Sequence, residues 1–252
     1  MKDPIVIQHE KFRVVRDDLL AGGTKVRLAK ALFDAYPDKT CFAYGGGVAA
    51  GMAQVALAQA CKQFNKEFHM WLAKRNELHP YTKRAVELGM HLHELKMGML
   101  SVTRARSREF AAAREDCLDI PMGLDIEPCL AELERVGRNV SKQLGGDPKE
   151  CWSVAASGTL TRGLQRAWPK TKFFAVQIGH KLNQADVGRA ELIVCPLKFQ
   201  QKPKKEDRPP FPAVPEYDQK AWKYMKEMAC RNALFWNVSS DVLVDGSAYA
   251  QD

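Results

Sequence analysis

No stretch of this sequence approaches the roughly 20 consecutive apolar residues that a helix needs to cross a bilayer, so a membrane-embedded chain is not expected. The opening Met1-Lys2-Asp3-Pro4 lacks the apolar centre of a secretion signal, which argues against export and for the cytoplasm. Cysteine pairs are missing too. The seven cysteines (41, 61, 117, 129, 151, 195 and 230) are scattered and none falls in a CxxC spacing. Zinc ribbons and disulfide frameworks need close pairs, so reduced thiols are expected. There is no internal repeat and no low-complexity tract beyond one basic loop. What is present is the composition of a folded domain, 46% hydrophobic and 27% charged, which excludes a disordered chain, a collagen-like fibre and a coiled coil. At 252 residues the chain can bury a sizeable core without staples. A net charge of +8 favours a polyanionic partner or substrate, because net charge governs association and not fold.

Strand-like and helix-like segments alternate, which points to an α/β architecture with parallel sheets flanked by helices. Short strands are predicted at 5–8 and 12–15, then a helix at 24–35 that Pro37 stops. The buried-strand candidate 41–44 runs into Gly45-Gly46-Gly47 and an alanine-rich helix from Val48 to Phe64. Strand 67–73, helix 80–88 and strand 90–95 follow, a doubly wound run. An Arg-rich helix at 102–115 leads to a crossing loop over 116–128 and a helix at 127–143. A second α/β unit has strand 152–155, helix 160–167, strand 173–178 and strand 191–196. The basic, proline-rich segment from Lys198 to Pro215 reads as a surface loop or lid, and helix 218–230 and strand 234–238 close the pattern.

Three segments bear on chemistry. The first is Gly45-Gly46-Gly47-Val48-Ala49-Ala50-Gly51, a strand-to-helix turn of the kind that offers backbone N–H groups to a phosphate. As a dinucleotide fingerprint it lacks the acidic residue about 20 positions on, since strand 67–73 ends in Lys74-Arg75. The second is the turn Ser157-Gly158-Thr159-Leu160, whose two hydroxyls and small residues suit a phosphate monoester but which lacks the lysine of a P-loop. In the third, Gly22-Gly23-Thr24-Lys25, a lysine follows a Gly-Gly turn at the start of a helix. The positive end of a helix disfavours an ammonium, which helps keep the amine neutral and nucleophilic.

The stretch Arg16-Asp17-Asp18-Leu19-Leu20-Ala21-Gly22-Gly23-Thr24-Lys25 resembles the lysine-bearing segment of the tryptophan-synthase-like, fold type II pyridoxal-phosphate enzymes. Nearest is the branch of aminocyclopropane-carboxylate deaminase and D-cysteine desulfhydrase, with its R-x-D-L-x-x-G-G-N-K pattern. The order of lysine, glycine-rich turn and later Ser-Gly-Thr turn matches as well. The resemblance covers residues 12–60 and 150–180 well and the rest in outline. It implies a two-lobed fold, with residues 1–40 and 145–252 as the larger, cofactor-binding lobe and 41–144 as a smaller Rossmann-like lobe. It also implies pyridoxal 5'-phosphate as cofactor, an amino-acid substrate, Lys25 as the Schiff-base lysine, Ser157, Gly158, Thr159 and Leu160 as the phosphate cradle, and a homodimer. A pyridine-nitrogen partner is expected after the last strand, at Ser239, Ser240 or Asp241.

The sequence departs from that pattern twice. Thr24 replaces the usual Asn before the lysine, and Ala49, Ala50, Gly51 and Met52 stand where family members grip the substrate carboxylate with polar side chains, which leaves Gly47, Ala49 and Ala50 as the candidate substrate contacts. An ungripped carboxylate in an apolar site favours loss of carbon dioxide, which leans the expectation toward α-decarboxylation over β-elimination. A looser resemblance of 211–222 and 233–238 to pyridoxal-phosphate proteins of bacteriophages extends that expectation to an amino-acid-modified thymidine in DNA, in a host cytoplasm. Arg104, Arg106 and Arg108 with the Lys202–Arg208 loop are the candidate DNA contacts. The alternatives are a deaminase or desulfhydrase of a free small amino acid, and a DNA-binding protein that kept the fold without catalysis. His91 and His93 share a strand face, and a hydrogen-bonded pair is the preferred reading over a metal site, with no third ligand apparent.

Overall fold

The computed structural model describes residues 1–240. The chain opens with an antiparallel pair, β1 (Ile5–His9) and β2 (Phe12–Arg16), followed by α1 (Thr24–Ala35). Then come β3 (Cys41–Tyr44), α2 (Ala53–Gln63), β4 (Glu67–Ala73), α3 (Pro80–Glu87), β5 (Met90–Leu95), α4 (Leu100–Ala112), β6 (Cys117–Asp119) and α5 (Glu127–Leu144). The rest comprises β7 (Glu150–Ala155), α6 (Thr159–Ala167), β8 (Lys172–Gln177), α7 (Gln184–Val187), β9 (Glu191–Val194), α8 (Asp218–Met228) and β10 (Leu234–Asn237).

Two sheets result. Strands β3 to β6 form a four-stranded parallel sheet in the order β5-β4-β3-β6. The other six form a sheet in the order β1-β2-β10-β7-β8-β9, parallel except for the edge strand β1. Both are covered by helices on both faces, which is why β3, β7 and β10 read as continuous buried runs and not as alternating ones. The fold is therefore α/β, as the alternation of segments implied.

Helix α1 buries Val26, Ala29, Leu32 and Phe33, one stripe at helical spacing, into a core shared with α2, α5 and the smaller sheet. A second core lies between α5, α6 and the larger sheet around Trp168 and Trp236, and a third beneath α8 around Trp152, Trp222 and Phe235. Among the described residues no helix is long and apolar enough to cross a membrane.

Three segments differ from the sequence expectation. Helix α2 starts at Ala53 and not at Val48, because residues 45–52 form an irregular turn. Gly51 N–H bonds Val48 O, and the Gln54 side chain, at the start of α2, donates to Ala49 O and Gly51 O. The supposed crossing loop 116–128 contains β6, a strand too short for its alternation to show, and a 3₁₀ turn at Met122–Leu124. The Lys198–Pro215 segment is irregular, but its second half is not surface. Phe211, Ala213 and Val214 are buried under α8 and against the cores.

Candidate active site

Lys25 is the second residue of α1, and the turn before it is fixed from below. Asp17 is fully buried; it accepts a hydrogen bond from Thr24 Oγ1 at 2.6 Å and pairs with Arg27 Nη2 at 2.8 Å. Thr24 also receives the Trp236 indole N–H at 3.2 Å, and its own N–H bonds Val238 O at 2.9 Å. The threonine that replaces the usual asparagine thus ties the lysine segment to the end of β10. The approach is so close that a Cβ at Gly23 (φ +68°) would sit 2.1 Å from Val238 O. Among the described residues Lys25 Nζ has no hydrogen bond or ion pair; it lies 5.9 Å from the Tyr217 ring centre. Burial pushes its pKa below the ordinary lysine value, opposed by the charge of Asp218.

Lys25 faces a cavity of about 850 Å³. Its walls come from the carboxyl ends of strands in both sheets: Tyr44 of β3, Arg75 just past β4, Ala156 and Ser157 after β7, Ile178 and Gly179 after β8. This is where parallel α/β sheets place ligands, since chain reversals leave a crevice there.

On one side of the lysine a smaller hollow is lined by Lys25, Gly123, Ser157, Gly158, Thr159 and Leu160. Gly158 caps α6 in the left-handed conformation (φ +77°), so the first N–H groups of that nine-residue helix open onto the turn. The Ser157 and Thr159 hydroxyls lie 3.1 Å apart. Gly123 presses its backbone onto them: a Cβ there would fall 2.1 Å from Ser157 Oγ.

On the other side a narrow extension is lined by Lys25, Tyr217, Asp218, Val238 and Ser239. Asp218 opens α8 and is fully buried; among the described residues no side chain pairs with either carboxylate oxygen, and the Val238 and Ser239 backbone N–H groups are the polar neighbours it has. Burial raises its pKa to about 8, partly offset by the neighbouring Val238 backbone and by Lys25. Ser239 Oγ is likewise buried, with no hydrogen-bond partner among the described residues. Two tyrosines complete the walls; burial raises Tyr44 to about 12 and Tyr217 further.

Gly47, Ala49 and Ala50 form the apolar wall of the cavity together with Val48 and Gly51. Gln54 occupies the Ala49 and Gly51 carbonyls and Val48 O takes the Gly51 N–H, and the positive end of α2, at Ala53, borders the cavity behind this turn. The mouth carries Arg75, His180, Lys198, Gln200 and Gln201. Lys220, buried in α8, donates to Lys198 O and Phe199 O at 2.9 and 2.6 Å and so pins this strap in place.

The structure therefore gathers Lys25, Ser157, Gly158, Thr159, Leu160, Gly47, Ala49, Ala50 and Ser239 around connected hollows. Ser240 lies beside Ser239 and is buried, whereas Asp241 lies outside the described residues. Sequence reasoning missed Asp218, Tyr217 and Tyr44. The one signal for Tyr217 and Asp218 was the Pro215-Glu216-Tyr217-Asp218 run, polar residues opening a helix straight after a proline-rich loop, and Tyr44 gave none beyond ending a buried strand. The candidate DNA contacts do not form one stripe. Arg106 pairs with Glu109 at 2.7 Å, and residues two apart on a helix face different sides, so it is turned away from Arg104 and Arg108. Lys202, Lys204, Lys205 and Arg208 are exposed on the strap's outer part. His91 and His93 do not pair with each other: His93 Nε2 lies 2.9 Å from His69 Nδ1.

No protein-family model and no curated protein matches the chain. Solved structures do. An ACC deaminase homologue superposes with a TM-score of 0.78 at 17% identity, over 93% of this chain and 86% of that one. The processed form of threonine deaminase isoform 2 from Solanum lycopersicum gives 0.69 at 12% identity, over 94% of this chain and 79% of that one. A pyridoxal 5'-phosphate-dependent aspartate racemase gives 0.67 at 12%, over 95% and 90%. At these identities the likeness is one of fold: the chain has the fold type II architecture that its lysine segment and glycine turns resemble.

Proposed function

We propose that the protein is a pyridoxal-phosphate-dependent lyase acting on an amino acid, of the deaminase type. One observation carries this reading: among the described residues, a lysine amine with no hydrogen bond or ion pair lines hollows that also hold a hydroxyl-lined helix N-terminus and a buried carboxylate that no side chain pairs. A buried carboxyl met by backbone alone is costly to ionise unless a cationic ligand completes it, and a protonated ring nitrogen is a fitting partner. The residues thus fit the cofactor. Lys25 would carry it covalently, the 157–160 turn would hold its phosphate, and Asp218 with Ser239 would hold its pyridine nitrogen. Bound there, pyridoxal phosphate supplies an electron sink for the carbon that bears the substrate's amine.

The chain's own groups account for the remaining roles. Lys25, held toward its neutral form by burial, acts as nucleophile and then as the base and acid that moves a proton at the substrate carbon. Asp218, ionised against a bound cation, would stabilise that positive charge far more strongly than a hydroxyl would. The apolar turn at 47–50 led the sequence reading to decarboxylation. The geometry supplies a different reading of the same residues: a carboxylate meeting this turn finds backbone N–H groups and a helix N-terminus, so side-chain grips are dispensable. The fold neighbours named as deaminases support elimination with loss of ammonia over loss of carbon dioxide.

The test is the absorption spectrum of the purified protein with pyridoxal phosphate, before and after borohydride, followed by mapping of the reduced lysine. A visible band reducible onto Lys25 and missing in Lys25→Ala is expected. The loaded enzyme should then release ammonia and a keto acid from small amino acids. Reduction onto another lysine would remove the site, and carbon dioxide as the sole product would restore the decarboxylase.

A further inference from the structure

We propose that the smaller sheet carries a second site, for a zinc-type divalent cation, at the end of its strands opposite the cavity, with Cys41, Glu67, His69 and His91 as its ligands.

Cys41 and Glu67 are the first residues of β3 and β4 and stand directly across from each other, as do His69 and His91 on β4 and β5. Alternate residues of a strand share a face, so register alone stacks the four on one side of the sheet. A ligand atom from each of Cys41, Glu67 and His69 lies within 4.8 Å of the other two. His91 Nε2 is 3.8 Å from Glu67 Oε1. A tetrahedral zinc with bonds of about 2.0–2.3 Å holds its ligand atoms roughly 3.3–3.8 Å apart, so Cys41, Glu67 and His69 need to draw together by about an ångström, with His91 swinging in beside Glu67 as the fourth ligand.

The donor chemistry selects the metal. One sulfur, two imidazoles and one carboxylate suit zinc and its borderline-soft relatives; calcium and magnesium demand an all-oxygen set. The surroundings orient those donors. His69 Nδ1 meets His93 Nε2 at 2.9 Å, the kind of outer contact that fixes which ring nitrogen faces a metal. Arg114 holds Glu67 Oε2 at 2.8 Å and also pairs with Asp116, leaving Oε1 turned toward His69 at 2.8 Å. Stacking of Trp71 on His93, with ring centres 4.3 Å apart, packs that outer histidine in turn. On binding, Cys41 gives up its thiol proton to solvent, and two negative ligands then balance the dication.

The competing reading is a metal-free face in which Arg114 already neutralises Glu67. Cobalt(II) separates the two. The full-length protein, stripped with a chelator, is titrated with Co²⁺ and then with Zn²⁺. One equivalent of cobalt should give a thiolate-to-metal charge-transfer band that zinc abolishes and that Cys41→Ser lacks. His91→Ala changes a side chain that is 57% exposed, so it folds whatever the fate of the buried cysteine variant. It should weaken binding at least about tenfold, the size of loss seen even for outer-shell partners. No thiolate band in the wild type, a band that persists in Cys41→Ser, or unchanged affinity in His91→Ala would each overturn the proposal. None of these readouts depends on cofactor loading or activity.

Discussion

Lys25 and Asp218 show how burial alone can set two residues to work. Desolvation disfavours the charged form of each, so the lysine is pushed down and the carboxyl up, toward a shared neutral state. Asp218 has a consequence for stability. Its pKa rises from 3.8 to about 8 on folding, so between those values the folded chain binds a proton that the unfolded chain releases. Stability must then fall as pH rises through that window, by up to about 1.4 kcal/mol per pH unit. Asp218→Asn removes the slope. In urea unfolding of the cofactor-free protein, the variant should match the wild type near pH 4 and exceed it near pH 8. It should also bind pyridoxal phosphate more weakly, a trade of function against stability. A wild type whose stability is flat over this range would show that Asp218 is ionised throughout.

At the scale of elements, the site depends on where helices begin. Helices α1, α2, α6 and α8 all start at its walls, and each start is shaped by a different local device. A Gly-Gly turn serves α1, the Gln54 side chain the turn before α2, left-handed Gly158 α6, and the Val214–Tyr217 backbone turn α8. The strap at 198–201 has no such regular support and hangs on the Lys220 ammonium. Lys220→Met keeps the length of the side chain and removes both bonds. The strap then loses its fixed position over the mouth, while Lys25 and the cradle are untouched. Steady-state kinetics should show KM raised several-fold, on the order of the 1 kcal/mol carried by a typical hydrogen bond, with kcat little changed. A fall in kcat at constant KM would place the lysine's effect in the chemistry.

At the scale of the molecule, the cavity joins two sheets whose strands, among the described residues, do not pair with each other. A ligand filling it touches strand ends of both, so it should stabilise them together. Pyridoxal phosphate at about 100 times its Kd should add roughly 2.7 kcal/mol, seen as a single thermal transition moved upward by several degrees. Two transitions, only one of them moved by the cofactor, would mean that the sheets melt independently and that just one of them holds it.

Much of this was legible in the chain itself. Periodicity found α1, the buried runs of β3 and β4, and the alternation that makes an α/β protein. Glycine and hydroxyl residues marked the turns around Lys25 and Ser157. Those signals are local, because they come from backbone constraints and from burial patterns within a dozen residues. Asp218 and the Cys41–Glu67–His69–His91 face were not legible. A carboxylate near a helix start is ordinary in sequence; only the tertiary packing that brings the start of α8 to Lys25 and the end of β10 takes it out of water and away from side-chain partners. Likewise, His91 has neighbours on its own strand in the sequence, but its ligand companions arrive from β3 and β4 through parallel register. Sequence determined which segments could form and where the chain could turn, whereas tertiary packing decided which side chains would be left together, buried and unpaired, because desolvation and proximity exist only once distant segments meet.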